Sequence, residues 1–202
     1  MSKKFQYYLL FFIGLVAVFY FVLMKVIPGF GKVHTSPLGY VSSFSFINQD
    51  GKKITDKDVA GKVFVAEFFF TTCKGICPKM NNNMKRVYER FKNENNFLIL
   101  SHTCNPETDS ASQLKHYSDS LGVNTSRWIF LTGRKDSLYN MARLSYQIDD
   151  PKNNLRNIDD DFLHTQFWAL VNKQGEVVRV YDSLKDSEID KLIADIAKLL
   201  KG

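Results

Sequence analysis

The sequence predicts one α/β domain, a mixed sheet covered by helices with added hairpins, behind a single amino-terminal transmembrane helix. Three observations carry this. Residues Phe5 to Met24 are an apolar stretch without a charged side chain, polar only at Gln6, and close to the ~20 residues a helix needs to cross a bilayer. Strand-like apolar runs then alternate with segments of helical period, the pattern of a sheet with a parallel core covered on both faces. Finally, the roughly 160 residues from 41 to 201 suffice for one proper core.

The first 27 residues read as the anchor. Lys3 and Lys4 precede the apolar run, Lys25 follows it, and Pro28-Gly29 breaks the helix. A cleaved leader has a shorter apolar core, roughly 7–15 residues, ending at small residues; this run ends in Val22-Leu23-Met24-Lys25, so an uncleaved anchor is expected. Its short basic tail is expected to stay in the cytoplasm, placing the domain on the periplasmic side of the inner membrane. Of 27 Lys and Arg residues, three belong to the anchor, leaving 24 against 21 acidic residues, a net +3 spread along the chain. No concentrated basic face exists, which argues against nucleic acid as a partner. Residues 28–40, rich in Gly and Pro, read as a tether, and 41–202 as the domain.

Each element follows from local pattern. Phe44 to Ile47 alternates, Asn48-Gln49-Asp50-Gly51 turns, and Lys52 to Ile54 returns, a hairpin. Val63 to Phe70 is a buried strand. Pro78 opens a helix to about Lys92, its missing N–H no loss in the first turn, with Met80, Met84, Val87, Tyr88 and Phe91 on one face. Phe97 to Leu100 is a second buried strand, ended by Ser101 to Pro106. Asp109 is expected to cap a helix that Gly122 stops. Trp128 to Leu131 is a strand and Ser137 to Tyr146 a helix. After an acidic loop, 149–161, Phe167 to Val171 and Glu176 to Tyr181 form a hairpin around Asn172-Lys173-Gln174-Gly175, and Asp186 to Leu200 is an amphipathic helix. This order fits a thioredoxin-like fold, in which a site lies off the carboxyl ends of the parallel strands.

Cys73 and Cys77 sit at that edge, at the junction of the first buried strand and the helix. A helix amino terminus favours thiolate, and Lys74 adds a cation beside it. Two thiolates four residues apart, if both in the first helical turn, face one side and can converge on a soft ion such as Cu(I), with imidazole as third donor. His34 falls in the tether and His116 on the polar face of a helix. His102 and His164 both fall near the functional edge, and spacing alone does not separate them.

The motif Phe68-x-Phe70-Thr71-x-Cys73-x-x-x-Cys77-Pro78 is followed by Ser101-His102-Thr103, Pro106-Glu107-x-Asp109, Trp128 to Gly133, and Phe162-Leu163-His164-Thr165. In this order it resembles the Sco/SenC family of copper-binding cytochrome c oxidase assembly proteins. The resemblance covers nearly the whole domain. It implies a membrane-tethered, thioredoxin-like metallochaperone for copper, as Cu(I) and with Cu(II) open, that assists assembly of the dinuclear copper centre of cytochrome c oxidase. It implies Cys73, Cys77 and His164 as the copper ligands. Its implied partners are the oxidase's copper-bearing subunit and a copper donor protein or thiol reductant. The chain departs from the family in Lys74, where proline is common, and in Cys104-Asn105, where the family carries an acid before the proline.

The alternative function is a thiol–disulfide oxidoreductase acting on partner cysteines through Cys73 and Cys77. It lacks the proline that faces the cysteines in such enzymes, since the last proline is Pro151. Cys104 is read as a small buried residue, against a resolving thiol or auxiliary ligand. Met80 and Met84 are read as core. Asp159 to Asp161 are read as a solvated loop, against a role in orienting His164. Glu67, inside an apolar strand, requires a partner.

Overall fold

The computed structural model describes residues 2–27, 36–149, 162–163 and 165–202. These fall into two compact units, Met1–Ser36 and Pro37–Gly202.

The first unit holds α1 (Lys3–Val26), 24 residues without an acidic side chain and with none buried. At 1.5 Å per residue it is about 36 Å long, enough for a ~30 Å hydrocarbon layer. Ser2 caps it, its hydroxyl accepting from the Phe5 N–H.

In the second unit, eight strands among the described residues form one sheet. In chain order the elements are β1 (Gly39–Tyr40), β2 (Ser45–Asn48), β3 (Lys53–Thr55), α2 (Asp56–Val59), β4 (Val63–Phe69), α3 (Cys77–Phe91), β5 (Phe97–Thr103), α4 (Ala111–Leu121), β6 (Trp128–Thr132), α5 (Lys135–Asn140), β7 (Phe167–Val171), β8 (Glu176–Asp182) and α6 (Asp186–Lys201). The sheet order is β1-β8-β7-β4-β5-β6-β2-β3. β4, β5 and β6 are parallel, and β7 and β2 flank them antiparallel.

Period two sorts the central strands between two cores. Phe64, Ala66 and Phe68 of β4 join Leu98 and Leu100 of β5 against Tyr139 and Tyr146. Val63, Val65 and Phe69 join Ile99 against Met80, Met84 and Val87 of α3 and Ile189, Leu192 and Ile196 of α6. Because both faces are covered, every residue of β4 and β5 is buried, which is why these strands read as continuous apolar runs. Met80 and Met84 are core, as expected, and His116 is exposed. α6 carries Asp186 and Glu188 in its first turn and Lys198 and Lys201 in its last, complementing the helix dipole.

The structure corrects four local readings. β5 runs on to Thr103, so Ser101 and His102 lie inside the strand rather than in the loop after it. Ser110, not Asp109, caps α4 by accepting from the Gln113 N–H. The helix expected over 137–146 is α5 followed by a π-helical turn, Met141–Ser145, closed by Tyr146 N–H to Met141 O at 2.8 Å. Tyr146 then packs in the core against Phe64, Phe68 and His102.

The fourth correction is β1, formed by two residues assigned to the tether, which pair with Glu176 and Val177 of β8. Gly39 allows this approach: a Cβ there would fall 2.5 Å from the Ser145 carbonyl oxygen. Gly39→Ala is therefore expected to lift β1 off β8. The Leu38 and Val41 amides, bonded to Val177 O and Gly175 O, should exchange hydrogen at least about tenfold faster. Unchanged protection there would show that the strand can shift to accept a side chain.

Candidate metal centre

The parallel register sets Phe69 of β4 beside Thr103 of β5, so the segments leaving the two strands emerge side by side. The first runs through Thr71 and Cys73 into α3; the second runs through Cys104 and Asn105 towards α4. Their juncture is held by one buried carboxylate. Asp109 accepts from Thr71 Oγ1 (2.5 Å), the Thr71 N–H (3.1 Å) and Thr103 Oγ1 (2.5 Å). Thr103 Oγ1 in turn accepts from the Asn105 N–H at 2.9 Å. Sequence reading assigned Asp109 to a helix cap and gave Thr71 no role. The signal was present, since a threonine two residues before Cys73 and an acid after the next parallel strand both fall at one sheet edge.

Cys73 lies in the loop, half-buried, its N–H bonded to Phe70 O, and Cys77 is the first residue of α3. The two are thus not both within the first helical turn. Both line a cavity of about 360 Å³ with Phe68, Phe69, Phe70, Lys74, Gly75, Ile76, Cys104, Leu163 and Thr165. Its walls are mainly apolar, with Phe162 packed edge-on against Phe70 at 5.3 Å. All three cysteines are free thiols.

Burial overrides the expected thiolate character at Cys77. Loss of water, followed by the Cys73 thiol beside it, pushes the Cys77 thiol up to about 12. Cys104 is also raised, by burial first and then by Cys77. Such a site keeps its inner thiol protonated until an electrophile, a soft cation or a disulfide sulfur, takes the proton's place.

The structure separates the two candidate histidines in an informative way. His102 is fully buried within β5, stacked on Phe68 at 5.0 Å and edge-on to Phe46 and Tyr146. It is absent from the cavity lining, and burial lowers it to about 4. His164, like His34, Pro151 and Asp159 to Asp161, lies outside the described residues, but its neighbours Leu163 and Thr165 line the cysteine cavity. Among the described residues no three His, Cys, Asp or Glu side chains are grouped to hold an ion.

Glu67 finds its partner one strand over. Ser101 Oγ donates to Glu67 Oε1 at 2.5 Å and itself accepts from Trp128 Nε1 at 2.7 Å. Burial nonetheless raises the carboxyl to about 7, partly offset by Ser101 and by the Trp168 indole. That indole faces the carboxylate without reaching full hydrogen-bond geometry, so Glu67 Oε2 stays unpaired.

Comparison with known proteins agrees with this architecture. The SCO1/SenC family model matches residues 33–201. A SCO1 protein homolog of Bacillus subtilis is 32% identical over 171 residues, 82% of this chain and 86% of the relative. The solved structure of BsSco, described as a Sco-family cytochrome c oxidase assembly protein with a disulfide switch, is similar at TM-score 0.68 and 30% identity. That match covers 83% of this chain and 97% of the other. Arabidopsis thaliana ScoI, solved with copper bound, shares the fold at TM-score 0.62 and 24% identity, covering 80% and 98%. The chain spans about half the length of the curated eukaryotic relatives it also matches, 56% in fission yeast and 46% in Arabidopsis. With the family model spanning nearly the whole thioredoxin-like unit, and with a relative 32% identical over most of both chains, this chain is a member of the SCO1/SenC family.

Proposed function

We propose that the protein is a membrane-tethered copper chaperone whose cargo is held by Cys73, Cys77 and His164 and delivered during assembly of the dinuclear copper centre of cytochrome c oxidase. The observation that carries this is the shared cavity. Two free thiols and both sequence neighbours of His164 line one mainly apolar opening at the carboxyl edge of the parallel strands. Thiolate and imidazole are the donors that suit Cu(I), and low-polarity walls discourage water from competing. Membership of a family described through oxidase assembly, and a copper-bound relative of the same fold, support the assignment. The apolar α1 supports attachment to a membrane, with the domain on the periplasmic face.

Within this reading, Cys73 is the exchangeable ligand, because it is the accessible thiol. Cys77, fixed at the start of α3, is the stationary one. Oxidation of the pair to a disulfide removes both sulfurs from the metal, so the redox state gates loading.

Cu(I) titration of the full chain in detergent tests this. Wild type should bind one ion. Cys77→Ser should abolish tight binding, and His164→Ala should weaken it by more than the roughly 10–100-fold that an outer partner is worth. His102→Phe should bind as wild type. A wild-type chain that binds no copper yet rapidly turns over partner disulfides would establish the oxidoreductase instead.

A further inference from the structure

Cys104 is the one cysteine lining the cavity that the proposed copper site leaves unused. It directly follows β5, its N–H bonded to Phe69 O at 2.7 Å and its carbonyl accepting from Tyr139 Oη at 2.8 Å, so its backbone is fixed on both sides. Its side chain is 3% exposed, yet lines the same opening as Cys73 and Cys77. The three cysteines differ in access, with Cys73 half-buried and Cys77 and Cys104 both buried. A small apolar residue would fill the position equally well as packing. What a thiol adds there is a nucleophile on the same cavity as the disulfide that Cys73 and Cys77 can form, near enough for both of those thiols to act on it electrostatically.

We propose that Cys104 is a third redox thiol, and that the Cys73–Cys77 disulfide isomerises inward to a Cys77–Cys104 disulfide. The inference rests on the two-cysteine reading of the site. A small-molecule disulfide first oxidises the outer pair, taking two electrons and releasing two thiols. Cys104, having given up its proton, then attacks Cys77 Sγ. The Cys73–Cys77 bond breaks as the Cys77–Cys104 bond forms, and the electron pair leaves with Cys73 Sγ, which takes up a proton. The step is an exchange with no net oxidation. Its product differs in function from the outer disulfide. Cys77 is withdrawn from the metal into a buried bond shielded from reductants, while Cys73 is returned to the surface as a free thiol. The chain thereby gains a locked, copper-incompetent state that a two-cysteine site does not have.

The experiment oxidises the full chain in detergent with oxidised glutathione, quenches in acid, alkylates free thiols under denaturing conditions and maps linked peptides by mass spectrometry. In wild type, Cys77–Cys104 linked peptides should accompany Cys73–Cys77, with part of Cys73 alkylated. In Cys73→Ala, the two remaining thiols should disappear together, with a loss of two hydrogens and no glutathione adduct. Wild type yielding only Cys73–Cys77 with Cys104 fully alkylated, or Cys73→Ala keeping two free or glutathionylated thiols, overturns the proposal. Cu(I) titration of reduced Cys104→Val separates the two readings. Retained one-ion binding leaves the copper site standing whatever the disulfide map shows, and it excludes Cys104 as an obligatory ligand.

Discussion

Replacing Asp109 with alanine is expected to destabilise the domain by about 3 kcal/mol or more and to loosen the cysteine loop. The carboxylate is fully buried and takes three close donors, the Thr71 N–H, Thr71 Oγ1 and Thr103 Oγ1, with Thr108 Oγ1 a distant fourth at 3.5 Å. Hydrogen bonds to a charged acceptor contribute about 1.5–3 kcal/mol each, and a buried donor left without a partner costs about 1–3 kcal/mol. The hydroxyls can rotate to other acceptors, but the Thr71 N–H cannot, so the loss falls between one and three such bonds. Thr71 lies two residues before Cys73, so the damage reaches the proposed metal site. Asp109→Ala should weaken Cu(I) binding even under conditions where the domain remains folded. Asp109→Asn, which keeps one oxygen, should fall between. Chemical denaturation followed through Trp128 and Trp168, both buried in this unit, supplies the readout. A shift within about 0.5 kcal/mol, as for an ordinary surface substitution, would mean the clamp is dispensable.

The second large effect is a compensation between two buried ionisable groups. Glu67 rises from an ordinary 4.5 to about 7 because burial disfavours its charge. In the pH range between these values the folded state holds a proton that the unfolded state has lost. Glu67 thus contributes its full stability below pH 4.5, and that contribution is lost as pH rises through 7. His102 falls from 6.5 to about 4 for the same physical reason. Between those values the unfolded state holds a proton the folded state excludes, so its contribution is full above pH 6.5 and is lost as pH falls through 4. Each shift is worth about 3 kcal/mol at 1.36 kcal/mol per pH unit. Between about pH 4.5 and 6.5 the two slopes are equal and opposite, so these groups leave wild-type stability nearly level.

Single substitutions should unmask each slope. Glu67→Gln should become more stable with rising pH from 4 to 6.5. His102→Phe, which keeps an aromatic ring on Phe68, should become less stable from pH 4.5 to 7. Denaturation midpoints of the three chains across pH 4–8 measure this directly. Parallel profiles for all three would show that neither group carries its shift, both being hydrated or differently paired in solution.

Much of the architecture was legible because it rests on local chemistry. The continuous apolar run of β4, the Pro78 start of α3, the hairpins at Asn48-Gly51 and Asn172-Gly175 and the apolar span of α1 are written in residue order. The thioredoxin-like topology follows, because strand-helix-strand units have few ways to cover both faces of a sheet. Motif order also identified the family and put Cys73, Cys77 and Cys104 at one edge. What failed depended on neighbours distant in sequence. Residues 97–100 were read as the whole strand because Ser101, His102 and Thr103 are polar. They are buried because Glu67, Phe68 and Asp109 receive them. Asp109 looked like a cap because its local sequence suits one, whereas the backbone gives that task to Ser110.

The sequence by itself determined the class of fold, the family and the soft-donor character of the site, since these depend on residue type, period and order. Only the tertiary structure decided which groups share a dielectric environment. It buried Cys77 and so raised the thiol that helix position and Lys74 were expected to lower. It withdrew His102 from the cavity into an aromatic stack, and it placed Cys104 on the same cavity as the cysteine pair. The physical reason is that desolvation depends on every atom packed around a group, and most of those atoms come from other strands.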